Sequence, residues 1–175
     1  MEILTDRLVL REYSEDDLEL LHSFRIDKNI SKYIHWNDLS FEGTRSILKE
    51  GLDDQKEENR KYYHFVICLK QDSIPIGEIG INIKISNIYG GICILGYFMH
   101  KQYWHNGYMS EAAHEIIKYA FSELKLHKIE AYVDCKNKRS IKVLKRLGMK
   151  KEAKFKKEVF VKDRWEDVAY YALVK

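Results

Sequence analysis

The stretch Gly96-Tyr-Phe-Met-His-Lys-Gln-Tyr-Trp-His-Asn-Gly-Tyr-Met-Ser-Glu-Ala-Ala113 constrains the fold more than any other part of the chain. An apolar run there passes through a short polar loop holding one glycine, Gly107, and enters a long helical pattern. Met109, Ala112, Ala113, Ile116, Ile117, Ala120, Phe121 and Leu124 follow a helical repeat, which makes an amphipathic helix. The first amides of a helix lack partners and sit at the positive end of its dipole. The loop and helix start therefore point several N–H groups at one spot where an anion can sit. A strand, a loop and a helix start together can hold a pyrophosphate at one end and an extended thiol-bearing arm beside the strand.

The flanking patterns supply a sheet around that unit. Thr5 to Glu12 alternates and reads as a first strand. Ser14-Glu-Asp-Asp17 is an N-cap with acids in the first turn, ahead of Leu18, Leu21 and Phe24. Ser40 caps a second helix carrying Ile47, Leu48, Gly51 and Leu52. Between these helices lies a loop with Tyr33, His35 and Trp36, where Trp36 is a candidate substrate wall and a packing plug is the competing reading. Strands are predicted over 62–69, 76–85 and 92–99, joined by hairpin turns, with Pro75 at a strand start. The third is apolar on both faces, which predicts a central strand covered by helices. After the long helix come a strand with Ile129, Ala131 and Val133, a shorter helix over 137–147 stopped by Gly148, and closing strands at about 153–161 and 165–174. The order β-α-α-β-β-β-α-β-α-β-β has no linker or repeat. It predicts one α/β domain over 1–175, a mixed and mostly antiparallel central sheet flanked by helices on both faces.

Composition narrows the classes. The 175 residues, 45% hydrophobic and 13% aromatic, suit a globular chain, and no apolar run approaches a membrane span. The charged start carries no signal-peptide pattern, and the three cysteines Cys68, Cys93 and Cys135 are odd in number and widely spaced. A reducing, cytoplasmic setting is expected. No Cys or His pair has metal-ligand spacing, so no metal is expected. A net charge of +3 is too weak to indicate a nucleic-acid partner, although Lys142 to Lys157 is basic and Glu50 to Glu58 acidic.

Four motifs in order resemble the GNAT superfamily of acyl-CoA transferases, and within it the branch that includes the ribosomal-protein N-terminal (alanine and serine) acetyltransferases. They are Thr5-Asp-Arg-Leu-Val-Leu-Arg11, Tyr103-Trp-His-Asn-Gly-Tyr-Met-Ser-Glu-Ala-Ala113, Asn137-Lys-Arg-Ser140 with Leu147-Gly-Met149, and Trp165-Glu-Asp167. The resemblance covers nearly the whole chain. It implies the acyl-CoA N-acyltransferase fold and transfer of an acetyl group from acetyl-CoA to a primary amine by direct attack in a ternary complex. The acceptor it favours is a protein N-terminal α-amine, with a small-molecule amine or a non-catalytic CoA-binding module as alternatives. The protein would act as a monomer or homodimer. His105, Asn106, Gly107, Tyr108 and Met109 would hold pyrophosphate through backbone amides. Phe98 and Met99 would contact the cofactor from the central strand and give their amides to the developing oxyanion. Asn137 would contact the pantetheine arm, with Ser140 beside it. Trp104, His105 and Met109 depart from the usual loop residues. Leu144 stands where some relatives place a tyrosine general acid.

The reaction needs a base, because alkyl ammonium groups keep their protons at neutral pH. Glu78 is the first candidate. It lies between Gly77 and Gly80 on a strand beside the central one, where apolar neighbours raise a carboxyl pKa. Glu130, Asp134 and His100 are weaker candidates. Cys135, near the second CoA-contacting helix, is the cysteine that would matter if the mechanism were covalent.

Overall fold

The computed structural model describes residues 1–34, 38–161 and 163–175. Strands β1 (Glu2–Leu4) and β2 (Leu8–Glu12) lead into helices α1 (Leu18–Ile26) and α2 (Phe41–Asp54). Strands β3 (Tyr62–Leu69), β4 (Pro75–Asn87) and β5 (Gly90–Met99) follow, then helix α3 (Tyr108–Ser122), strand β6 (Lys128–Asp134), helix α4 (Lys138–Arg146), and strands β7 (Lys150–Val161) and β8 (Arg164–Val174). One eight-stranded sheet results, in the order β1-β2-β3-β4-β5-β6-β8-β7. Among the described residues only β5 and β6 run parallel.

Alternation along the strands sorts the side chains between two layers. Phe65, Ile67, Ile79, Ile81, Cys93, Leu95, Ile129 and Ala131 point toward α3 and α4, meeting Ala112, Ala113, Ile116 and Leu144 in the main core. Each large side chain buried there contributes roughly 1.5–3 kcal/mol. On the other face Val66 and Cys68 join Leu21, Phe24 and Leu48 of α1 and α2. Caps fix the helix starts. The Ser40 hydroxyl accepts the Gly43 amide at 2.9 Å, and the Asn137 side chain accepts the Ser140 amide at 3.2 Å.

Three sequence expectations need correction. The first strand is a hairpin, since the three-residue β1 pairs with β2 ahead of it. Ser14 caps a 3₁₀ turn over Glu15–Asp17, and α1 starts only at Leu18. The central strand is not covered on both sides. Gly96 is exposed, and the second core cluster reaches Phe98 but takes in no residue of β6, β7 or β8.

The sheet is also joined weakly at its middle. Strands β5 and β6 pair only at Ile92, Cys93 and Ile94, opposite Lys128, Ile129 and Glu130. Beyond Ile94 they part, and β5 continues to Met99 paired only with β4. The functional geometry grows from that gap.

Candidate functional site

Antiparallel alternation decides which amides face the gap. The His100 amide donates to Ile76 O at 2.9 Å, and Phe98 stands opposite Glu78 in the same unbroken register. The Phe98 N–H and C=O are therefore turned toward β4, while those of Tyr97 and Met99 face the gap. The indole N–H of Trp104 confirms the side by donating to Met99 O at 2.8 Å. The open amides belong to Tyr97 and Met99, so of the two amides expected to meet an oxyanion Met99 faces the gap and Phe98 does not.

A cavity of about 600 Å³ runs from this gap to the start of α3. Gly107, at φ +83°, is the left-handed N-cap of α3. The first helical bond runs from the Glu111 amide to Gly107 O at 3.1 Å, so the amides of Tyr108, Met109 and Ser110 precede the intrahelical ladder. All three residues, with His105 and Gly107, line the cavity. His105 also adopts a left-handed conformation, φ +68°, which is strained for a side-chain-bearing residue. Met109 turns its side chain into the main core. Asn106 braces the loop, its side-chain amide donating to the carbonyls of Tyr103 and Trp104, both at 3.2 Å.

Helix α4 forms the facing wall. Ser140 Oγ lies 2.9 Å from the Tyr97 hydroxyl, and burial holds that phenol well above the usual tyrosine range. The Arg139 guanidinium sits 4.1 Å over the Trp104 ring. Lys142 and Arg146 line the same cavity and make it cationic. Leu144 is 1% exposed and belongs to the core, so no hydroxyl stands at that place. The open amides, the cations and the long gap fit a pyrophosphate with a pantetheine-like arm.

A second cavity of about 240 Å³ shares Phe98 as a wall. Tyr13, Arg25, Glu50, Tyr62, His64, Glu78 and Asn82 line it. Burial raises the Glu78 carboxyl above its ordinary range, an effect tempered by His64, a hydrogen bond to Tyr13, and Arg25. Of the acidic cluster, only Glu50 lines this cavity. Asp54 instead accepts the amides of Lys61 at 2.9 Å and Tyr62 at 2.8 Å.

The other candidates are occupied elsewhere. Glu130 is 4% exposed and pairs with Lys84 at 3.1 Å, and Asp134 accepts the Lys136 amide at 2.6 Å. His100 Nδ1 lies 3.4 Å from Asp27. Burial pushes the Cys93 thiol up to about 12. Trp36 lies outside the described residues. Among the described residues no cluster of three His, Cys, Asp or Glu could hold a metal, and no helix is long and apolar enough to cross a membrane. Tyr13, His64, Asn82, Tyr97 and Arg139 were not singled out from sequence. Period-two alternation already places Asn82 on the same face as Glu78, but the partners come from separate elements.

Known proteins resemble this chain in sequence and fold. A family profile described as "Acetyltransferase (GNAT) domain" matches residues 7–150. An uncharacterized N-acetyltransferase, YnaD of Bacillus subtilis, is 30% identical over 176 residues, covering 100% of this chain and 98% of its own length. The crystal structure of a ribosomal-protein-S5-alanine acetyltransferase from Vibrio fischeri superposes with a TM-score of 0.86 at 21% identity, over 99% of this chain and 96% of that one. A Vibrio cholerae spermidine N-acetyltransferase, in complex with CoA and spermine, gives a TM-score of 0.82 at 21% identity, over 95% of each chain. The last two likenesses concern the fold. The family match over most of the chain and the full-length relative carry more than the fold: the chain belongs to the GNAT family and is an N-acetyltransferase.

Proposed function

We propose that this enzyme transfers the acetyl group of acetyl-CoA to a protein N-terminal α-amine, by direct attack with both substrates bound together. The observation that carries the reading is the meeting of the two cavities at Phe98, one suited to the cofactor and one holding the Glu78 carboxylate. Acetyl-CoA supplies the activated acyl group. Its pyrophosphate takes the amides of His105 to Ser110, with Asn106 bracing that loop, and Lys142 and Arg146 face its phosphates. Asn137 and Ser140 border the pantetheine arm.

Glu78 accepts the proton of the incoming ammonium group. An α-amine, with a pKa near ~7.7–8.0, gives up that proton more easily than a lysine near ~10.4, so a single raised carboxylate suffices. The gap-facing amides of Met99 and Tyr97 donate to the developing oxyanion. Phe98 forms the wall between the two substrates. The hydroxyl pair of Tyr97 and Ser140 stands in the cofactor cavity, where it can return a proton to the leaving thiolate; Leu144 offers none. No cysteine is placed to carry the acyl group.

The protein works in the cytoplasm as one domain over 1–175, as a monomer or homodimer. A polyamine acceptor is the second reading, favoured by Glu50 and Glu78 in one cavity. A thiol-release screen with acetyl-CoA separates the two. N-terminal peptides as acceptors support the first reading, and turnover of spermidine with every peptide inert supports the second.

A further inference from the structure

Around Glu78 lies a chain of polar side chains that acetyl transfer as described above does not use. Glu78, Gly80 and Asn82 alternate on one face of β4, and His64 stands opposite Gly80 on β3. A Cβ at position 80 would lie 2.5 Å from His64 Cδ2, so the imidazole rests on bare backbone. With Asn82 presenting Oδ1 to His64 Nε2 at 2.6 Å, Nε2 carries the hydrogen and Nδ1 is left as an acceptor. Nδ1 lies 3.4 Å from the Tyr13 hydroxyl, and the two rings meet edge to face at 5.7 Å. Tyr13 and Glu78 line the same cavity, and the phenol acts to hold that carboxyl down against the effect of burial.

The phenol has one hydrogen and two acceptors within reach, the Glu78 carboxylate and His64 Nδ1. With Glu78 ionised, the hydrogen serves the carboxylate. Once Glu78 carries a proton, its O–H donates to the phenol oxygen, and the phenol hydrogen turns to Nδ1. Of the groups facing Glu78, Arg25 from α1 is already fully protonated and can accept nothing. Glu50 from α2 and Tyr62 from β3 stand across the same cavity. An acceptor seated over Glu78 separates that carboxyl from bulk water; Glu78, His64 and Asn82 are each partly buried, and Asn82 lies two residues before the exposed end of β4 that begins at Lys84.

We propose that Tyr13, His64 and Asn82 form the outlet through which the proton taken by Glu78 leaves the filled cavity. This rests on the acetyl-transfer reading above. In the transfer the Glu78 O–H and Tyr13 O–H bonds break, while a new O–H forms on Tyr13 and an N–H on His64 Nδ1. The imidazolium keeps its Nε2–H on Asn82 and passes one proton to water at the rim. One proton enters from the amine and one leaves. His64 and Asn82 are positioning and relay residues, since they act on substrate only through Glu78.

The experiment compares wild type with His64→Ala, His64→Gln and Tyr13→Phe. Thiol release from acetyl-CoA is followed across pH with an accepted amine, folding is checked by thermal melting, and CoA binding by calorimetry. His64→Ala lowers kcat about 10- to 100-fold, with KM for both substrates within about twofold. Added imidazole and other small bases restore the rate, more strongly as the pKa of the base rises. His64→Gln keeps the shape and the contact with Asn82 and shows the same loss, which covers the case of an unstable alanine variant. Tyr13→Phe falls as far and is not restored, because the missing link lies behind the ring. A wild-type kcat and pH profile in His64→Gln, or a loss in His64→Ala that no base corrects, overturns the outlet while leaving acetyl transfer intact. A wild type that releases no thiol with any amine overturns acetyl transfer and the outlet with it.

Discussion

Arg7 and Glu111, 104 positions apart in the chain, hold the loop before α3 to the edge of the sheet. The Arg7 guanidinium meets Glu111 Oε2 at 2.6 and 2.7 Å, and the Arg7 amide donates to Oε1 at 2.9 Å. A further guanidinium nitrogen reaches Asn106 O at 3.1 Å. The turn before β2 thereby fixes both the loop and the first turn of α3, where the anion-facing amides lie.

Glu111→Gln therefore loosens the cofactor end. Arg7 is half exposed, so the expected stability cost is modest, about 0.5–1 kcal/mol. Burial would raise the Glu111 carboxyl, but hydrogen bonds from Thr5 and Arg7 outweigh it and hold the group below its ordinary range. A depressed acid contributes stability above its unfolded pKa and loses it as pH falls through the folded value. Thermal melts of wild type and variant should thus differ at neutral pH and converge in acid. A gap of constant size down to the lowest pH at which both fold would contradict this.

The two left-handed loop residues respond in opposite ways. Gly107→Asp combines backbone strain, about 1–2 kcal/mol, with a negative charge at the anion site. CoA affinity should fall more than about tenfold in calorimetric titration. His105→Gly removes strain at φ +68° and should leave stability unchanged or raised by up to about 1 kcal/mol, with CoA affinity within about threefold of wild type. Loss of binding there would mean that the imidazole, not the backbone, holds the ligand.

Glu78→Gln should separate activity from stability. Loss of the base lowers kcat about 100-fold or more. Burial raises this carboxyl, so its ionised form opposes folding above the unfolded pKa. The variant should be as stable as wild type in acid and more stable at neutral pH, with the difference opening as pH rises through the ordinary carboxylate range. A variant that melts below wild type at pH 7 would place Glu78 in a net stabilising ion pair instead.

Ser140→Ala and Tyr97→Phe each remove half of the hydroxyl pair that borders the cofactor cavity. If it returns the proton to the thiolate, either change lowers kcat while CoA binding by calorimetry stays within a few-fold. The double variant should lose little more than the worse single one, because the two hydroxyls act as a unit. Fully additive losses would assign them separate tasks.

The regular elements were legible because their causes are local. The step pattern of α3, the Asn137 cap and Gly148 at φ +79° all act within a few residues. The strand, loop and helix start of the candidate site were legible for the same reason, following one another in sequence. Pairing was not. The three residues of β1 carry no periodicity and exist as a strand because of β2. The direction of the Phe98 amide depends on register with Glu78, which no neighbouring residue encodes. Tyr13, His64 and Asn82 gather around Glu78 from three different segments, so only the folded sheet brings them together.

The parting of β5 from β6 gives the molecule a strand that is central in order yet has a free edge. Exposed edges invite other chains to add to the sheet and aggregate. This edge begins inside the fold, beyond Ile94, with α3 and α4 packed over the core face of the sheet. Here the fold leaves the backbone amides of Tyr97 and Met99 open in the middle of the sheet rather than at its outer edge, where another chain would add.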